Sequence, residues 1–308
     1  MGPCHASTVL IPLPRRDYDP SEAALSWQLL TEAGYRVRFA TPHGQPSAPD
    51  PRMLSGEGLD LWGCVPVLKK IRLLGLALRA NGTARRAHVR MLRDPAYSAP
   101  LRFAELRVAD YAGLLLPGGH CARGICEYLE DPQLQRFVGD FFDSGKPVAA
   151  ICHGVVLAAR SRSAVTGKSV LFGRRTTGLT WRLEKTAWTL MKFAGRVWDP
   201  GYYRTYLERP GEPAGYRSVE AEVTRALASP GCFLDVPAGT PDRFRKLSGL
   251  FRDTAADSRP AWVVRDGNYV SARWQGDLHS FVRSFASILA GPDAAPDPGR
   301  RPAAHETH

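Results

Sequence analysis

No apolar run in this 308-residue chain approaches the length that spans a bilayer, because Arg, Gly or Pro interrupts the longest candidates. The start, MGPCHASTVLIPL, lacks the basic, then apolar, then small-residue order of a secretory leader. Pro3 after Met1-Gly2 is also poor company for myristoylation. The expectation is a cytoplasmic protein without a membrane partner. Basic runs are missing too. Lys and Arg total 41 against 30 Asp and Glu, a formal net charge of +11, yet no five stand together. The pairs Arg15-Arg16, Lys69-Lys70 and Arg174-Arg175 are scattered. That reads as a solvated surface, with no specific nucleic-acid partner. Cysteine is sparse. The six are irregularly spaced, which argues against a secreted disulfide framework. Cys121 and Cys126 have a spacing that suits zinc, but no second pair completes a tetrahedral site. No metal and no cofactor are expected.

What is present alternates between strand and helix. Thr8 to Leu13 reads as a first strand, followed by a turn through Asp17–Pro20 and a helix with Glu22 in its first turn. Gly34 ends that helix, and Tyr35 to Ala40 is the next strand. A loop rich in Pro, Gly and Ser covers 45–58. From 59 to 93, Leu61, Val65, Leu68, Ile71, Leu74 and Leu78 fit one helical stripe, which predicts an inserted helical segment lying over the site as a lid. Ala112–Leu116 is a strand that ends in Pro117-Gly118-Gly119-His120, and a helix starts near Asp131-Pro132. Val148–Ile151 is a short buried strand, and Ser169–Phe172 is read as another. A helix carries Leu183, Ala187 and Leu190. Asp266-Gly267 turns a late hairpin, and a closing helix covers 278–289. This alternation predicts an α/β, flavodoxin-like, doubly wound and mostly parallel sheet. It forms one domain over 6–290, with a disordered tail at 291–308.

In such a sheet, sites lie outside the carboxyl ends of the strands. Three strand ends deliver polar residues there: the turn leading to Glu22, the Gly118-Gly119-His120 loop, and Cys152-His153. Cys152 would stand at a strand-to-helix turn, relieved of crowding by Gly154, where unpaired amides favour a thiolate. The same amides, with that of Gly119, could hold an oxyanion. Glu22, His153 or His120 would move protons. Arg175 and Arg204 are expected at the surface. The aromatic cluster Trp181, Trp188, Trp198, Tyr202, Tyr203 and Tyr206 is expected to be core.

LLLPGGH (114–120), AAICHG (149–154), DPSE (19–22) and VVRDGNYVSARW (263–274) resemble the ThiJ/PfpI superfamily, which has the class I glutamine amidotransferase-like fold. FATP (39–42) and YYRTY (202–206) make the chain similar to a bacterial branch described as type 1 glutamine amidotransferase domain-containing proteins. The resemblance implies a strained nucleophile elbow at Cys152, an acidic partner at Glu22, and a homodimer in several members. It places Glu184 near His153 as a candidate third member of a triad, although the neighbouring Lys185 suggests an exposed face. Activities in the superfamily vary widely, and fold does not choose among them. The reading is a Cys-dependent, cofactor-free, glyoxalase-like enzyme acting on a small carbonyl substrate. Two alternatives stand beside it: an amidase or glutamine amidotransferase-like hydrolase, and a redox sensor or chaperone in which Cys121 resolves an oxidised Cys152. Against glutaminase chemistry, the late histidine, His279, has no glutamate two residues on.

Overall fold

The computed structural model describes residues 7–291. The expected start at residue 6, the leader-region readings and the tail beyond 291 lie outside the described residues. Nine strands are described: β1 (Thr8–Pro12), β2 (Arg16–Tyr18), β3 (Arg36–Thr41), β4 (Ala48–Pro49), β5 (Leu101–Arg102), β6 (Gly113–Leu116), β7 (Val148–Ile151), β8 (Val263–Asp266) and β9 (Tyr269–Ala272). The helices are α1 (Pro20–Glu32), α2 (Pro51–Ser55), α3 (Leu74–Leu78), α4 (Gly82–Met91), α5 (Pro95–Ser98), α6 (Ala122–Glu130), α7 (Pro132–Asp143), α8 (Gly154–Arg160), α9 (Trp181–Ala194), α10 (Val219–Ala226), α11 (Arg243–Leu247) and α12 (Leu278–Leu289).

Seven strands form one sheet in the order β5-β3-β1-β6-β7-β9-β8, all parallel except the β8–β9 hairpin. The doubly wound, mostly parallel architecture read from the sequence is the one observed. Period-two alternation splits the core between the two faces. Leu10, Leu114, Leu116, Val148 and Ala150 pack against α7, α8 and α10 on one side. Val9, Ile11, Leu115, Ala149 and Ile151 pack with residues of α1, α4 and α12 on the other. The chain runs from β1 outward to β3, then returns to β6 on the opposite side of β1. That reversal opens a crevice at the carboxyl ends of β1 and β6, where such sheets bind ligands.

Two local expectations need correction, and one helix was not foreseen. The stretch 59–93 is not one amphipathic helix. It is a run of turns, a 3-10 turn at Leu68–Lys70, and the separate helices α3 and α4. Gly63, Pro66 and Gly75 interrupt any continuous ladder, and Leu61, Val65, Leu68 and Ile71 are exposed rather than aligned on a buried face. Ser169–Phe172 is a turn whose only strand-like contact is the bridge from Ser169 to Arg162. Its Val170 and Leu171 are buried against the sheet's helical layer, which is what gave the segment its strand-like pattern. Finally, 122–130 forms α6, which packs against β2. Gly124 in its first turn masked that helix in the sequence.

Candidate active site

Asp19 caps α1, its Oδ1 accepting from the amides of Ser21 (2.7 Å) and Glu22 (3.1 Å). That cap aims Glu22 along the first turn into the crevice, where it is fully buried. Its Oε2 accepts from the Gly118 amide at 2.7 Å. Gly118 is therefore spent as an anchor for Glu22, and its N–H is not an oxyanion donor. The glycine is needed for space as well. A Cβ there would stand 2.7 Å from the His153 nitrogen and 3.2 Å from the Cys152 Cβ. Gly119 makes no hydrogen bond with its amide among the described residues and lines the cavity, so its N–H is open to a ligand.

Cys152 follows β7 with φ of 55°, one of three non-glycine residues in the left-handed region among the described residues. Such strain persists only where surrounding structure enforces it. Here the Cys152 amide still bonds Ala272 O at 3.1 Å, while α8 departs at once from Gly154. A Cβ on Gly154 would lie 2.1 Å from Leu116 O, so only glycine lets helix and strand approach this closely. The elbow expected at this turn is present.

The elbow holds its thiol against His153, Nδ1 lying 3.4 Å from Sγ. The tautomer follows from the neighbours. The Thr205 hydroxyl donates to His120 O at 3.1 Å, so its oxygen must accept from His153 Nε2, 2.8 Å away. The proton sits on Nε2, and Nδ1 presents a lone pair to the sulfur. Burial pushes the imidazole down to about 3, with His120 and the Arg160 and Arg204 cations adding to the effect. His153 is neutral and poised as an acceptor. The third member of the array is a threonine hydroxyl rather than a carboxylate.

Glu184 is therefore neither the orienting acid nor an exposed residue. It is 2% exposed, forms an ion pair with Arg204 at 2.8 Å and accepts from the Val219 amide at 3.1 Å. Burial holds its carboxyl up at about 7, against the pull of Arg204. Nor is Arg204 a surface residue. Its guanidinium is buried between the Trp181 and Trp188 rings, 5.0 Å from each centroid, and also pairs with Glu208. The aromatic cluster is not core as expected: the Trp181 and Trp188 indoles are half-buried around a cation, Trp198 is exposed, and of the six only Tyr202 is buried. Replacing Arg204 with methionine should cost about 3–5 kcal/mol by stranding its buried acids, lowering Tm by roughly 10 °C in a thermal melt. Arg204→Lys should rescue little of this, since an ammonium cannot fork between two carboxylates. A melting temperature unchanged in either variant would contradict the clamp.

The thiol is not acidified overall. The helix-terminus argument predicted a thiolate, but Cys152 is pushed well above the ordinary thiol range. Burial is the main cause, and the Glu22 and Asp19 carboxylates add to it, while the His153 amide works the other way. Glu22 is itself pushed well up, by burial and then by Asp19. The α8 dipole is short, at seven residues, and cannot offset that desolvation. The Glu22 carboxyl acts on the sulfur through its charge, and it titrates together with Asp19; its Oε1 has no hydrogen-bond partner among the described residues.

Cys152, His120, Gly119 and Asp19 open onto a cavity of about 200 Å³ whose far wall is mostly leucine: Leu78, Leu179, Leu183, Leu190 and Leu250. Ala77 and Leu78 bring the 59–93 segment to one side of it. His120 stacks on Tyr203 at 4.3 Å and meets Tyr202 edge-on at 4.9 Å, so its ring is fixed. Its Nε2 has no hydrogen-bond partner among the described residues and lies 3.9 Å from Asp50 Oδ2. Burial lowers its proton affinity, with Asp50, Asp19 and Asp17 opposing. Cys121 packs with Leu59, Met191 and Tyr202, and its thiol bonds to Asp17. Arg175 donates its amide to Asp266 at the hairpin and does not line the cavity.

A family model described as ThiJ/PfpI family-like matches residues 13–210 of this chain. The chain belongs to the ThiJ/PfpI family. Glyoxalase III from Candida albicans superposes with a TM-score of 0.56 at 17% identity, covering 92% of this chain and 97% of that one. Rapid Encystment Protein 24 KDa of Francisella tularensis gives 0.57 at 13% identity, over 92% and 99%. At such identities the likeness is one of fold. Protein/nucleic acid deglycase 2 of Escherichia coli (strain K12) is 40% identical over 76 residues, 24% of this chain and 38% of that protein. The chain spans less than half the length of the curated relatives it matches. Among the described residues of this ThiJ/PfpI protein, no helix is long and apolar enough to cross a membrane.

Proposed function

We propose that this protein is a glyoxalase-like enzyme, converting a small α-oxoaldehyde to a 2-hydroxy acid through Cys152. The observation that supports this most is that Sγ, which opens onto the cavity, has the His153 Nδ1 lone pair and the buried Glu22 carboxyl beside it. As sulfur adds to the aldehyde carbon, His153 Nδ1 hands the thiol proton on to the aldehyde oxygen, giving a hemithioacetal without storing charge on the imidazole. The Gly119 amide receives the oxyanion. Glu22 takes the hydrogen of the former aldehyde carbon as a proton and returns it to the neighbouring carbon, while the hemithioacetal hydroxyl proton moves to that carbon's oxygen, leaving a 2-hydroxy thioester. Water then releases the hydroxy acid and restores the thiol. The overall change is isomerisation plus one water, with no external oxidant or reductant. The glyoxalase III named above shares the fold, and the deglycase shares sequence across its matched segment.

The test offers purified protein methylglyoxal and follows lactate, with labelled glutamine in a parallel reaction. Lactate above the protein-free rate, without glutamate or ammonia, is the expected result. Glutamine hydrolysis without lactate formation would overturn the reading in favour of an amidase.

A further inference from the structure

Arg252 shares the cavity with Cys152, and its charge is left without a partner. It sits in the loop after α11, in a stretch where the sequence shows no periodicity. Its one hydrogen bond runs from Nη2 to Arg79 O at 3.2 Å, and its guanidinium lies 5.9 Å from the Trp274 ring centroid. No carboxylate among the described residues comes within ion-pair distance of it. Of the two acidic lining residues, Glu184 is paired with Arg204, while Asp19 has one oxygen committed to the α1 cap and acts on Arg252 only through its field. A guanidinium held in a partly desolvated place is costly unless an anion or several acceptors meet it.

The loop is fixed rather than loose. The next residue, Asp253, accepts from the His279 and Ser280 amides at 3.1 and 2.7 Å at the start of α12. Its own amide donates to Gly276 O at 2.7 Å. Arg252 is thereby held at one side of the cavity with donors to spare, and Leu78, Leu179, Leu183, Leu190 and Leu250 supply an apolar part of the same lining. A cavity of about 200 Å³ is on the order of seven water volumes, enough for a small molecule only.

Resting on the glyoxalase-like reading of this same site, we propose that the substrate carries a carboxylate. Arg252 binds that carboxylate, a short apolar segment lies against the leucines, and the electrophilic carbonyl reaches Cys152. The ligand class is a small α-oxoaldehyde that also bears a carboxylate. A guanidinium suits this group because its planar fork matches a carboxylate with two parallel hydrogen bonds.

Two measurements test this, one through the thiol and one without it. In the first, Cys152 is alkylated with iodoacetate or with iodoacetamide, and the ratio of rates is compared with that for N-acetylcysteine. The ratio should exceed the reference at least tenfold in the native protein, keep much of that in Arg252→Lys, and fall to the reference in Arg252→Met. A native ratio equal to the reference, or one unmoved by Arg252→Met, overturns the proposal. In the second, hexanoate and hexanamide are titrated calorimetrically into Cys152→Ala. Tighter hexanoate binding, by about tenfold and lost on adding Arg252→Met, supports the proposal; equal binding overturns it. If neither reagent modifies Cys152, the glyoxalase-like reading fails, and the calorimetric result alone decides on Arg252.

Discussion

Cys152→Ala is expected to lower methylglyoxal turnover by at least about 10³-fold, to the protein-free rate, while the fold persists. The sulfur forms the bond that every later step depends on, and no other described thiol faces the cavity. The substitution removes one buried polar atom from a site whose backbone is held independently. The Cys152 amide bonds Ala272, and Gly154 keeps α8 against β6. The left-handed φ remains, so some strain does too. Lactate assays with matched circular dichroism separate these outcomes. Residual turnover within threefold of the native rate would remove the cysteine from the reaction.

Glu22→Gln should cost about 10²–10⁴-fold in kcat, the usual worth of a positioned proton carrier, with stability nearly unchanged. The glutamine carbonyl can still accept from Gly118, so the anchor survives. What is lost is a group able to hold and return a proton. A second readout moves the opposite way. Glu22 is among the causes that raise the thiol, after burial itself. At pH values where Glu22 is ionised, removing its charge lowers the thiol's proton affinity, so the thiolate fraction there rises. Alkylation by iodoacetamide should therefore quicken in Glu22→Gln while turnover collapses, and its rate–pH curve should shift toward acid. A merely structural Glu22 would lower both together, and that joint fall would contradict the assigned role.

Much of this arrangement is legible in the chain, because strand periodicity and the strand-terminal motifs are local signals. Asp19 as cap, Glu22 in the first turn, the double glycine and the Cys152 elbow each follow from a few adjacent residues. Their convergence follows from parallel winding, which brings the carboxyl ends of β1, β6 and β7 to one edge. The misses are non-local. Thr205 carries no titratable group, and nothing in YYRTY says that its hydroxyl would fix the His153 tautomer from 52 positions away. Glu184 and Arg204 satisfy one another inside the protein, although Lys185 made the segment look exposed. Arg252 lies in a loop with no periodic pattern, and only tertiary placement reveals its missing partner. The thiol's proton affinity was misjudged because a helix terminus is visible in sequence, whereas complete burial beside two acids is not.

The most direct test of Cys152 as nucleophile uses methylglyoxal labelled with ¹³C at the aldehyde carbon, mixed with the slow variant Glu22→Gln and observed by NMR. A protein-bound tetrahedral carbon at the shift of a hemithioacetal should appear there, and should be absent when Cys152→Ala is added. The same resonance at equal intensity in the double variant would show that the carbonyl is held by another group, and the account of Cys152 would be wrong.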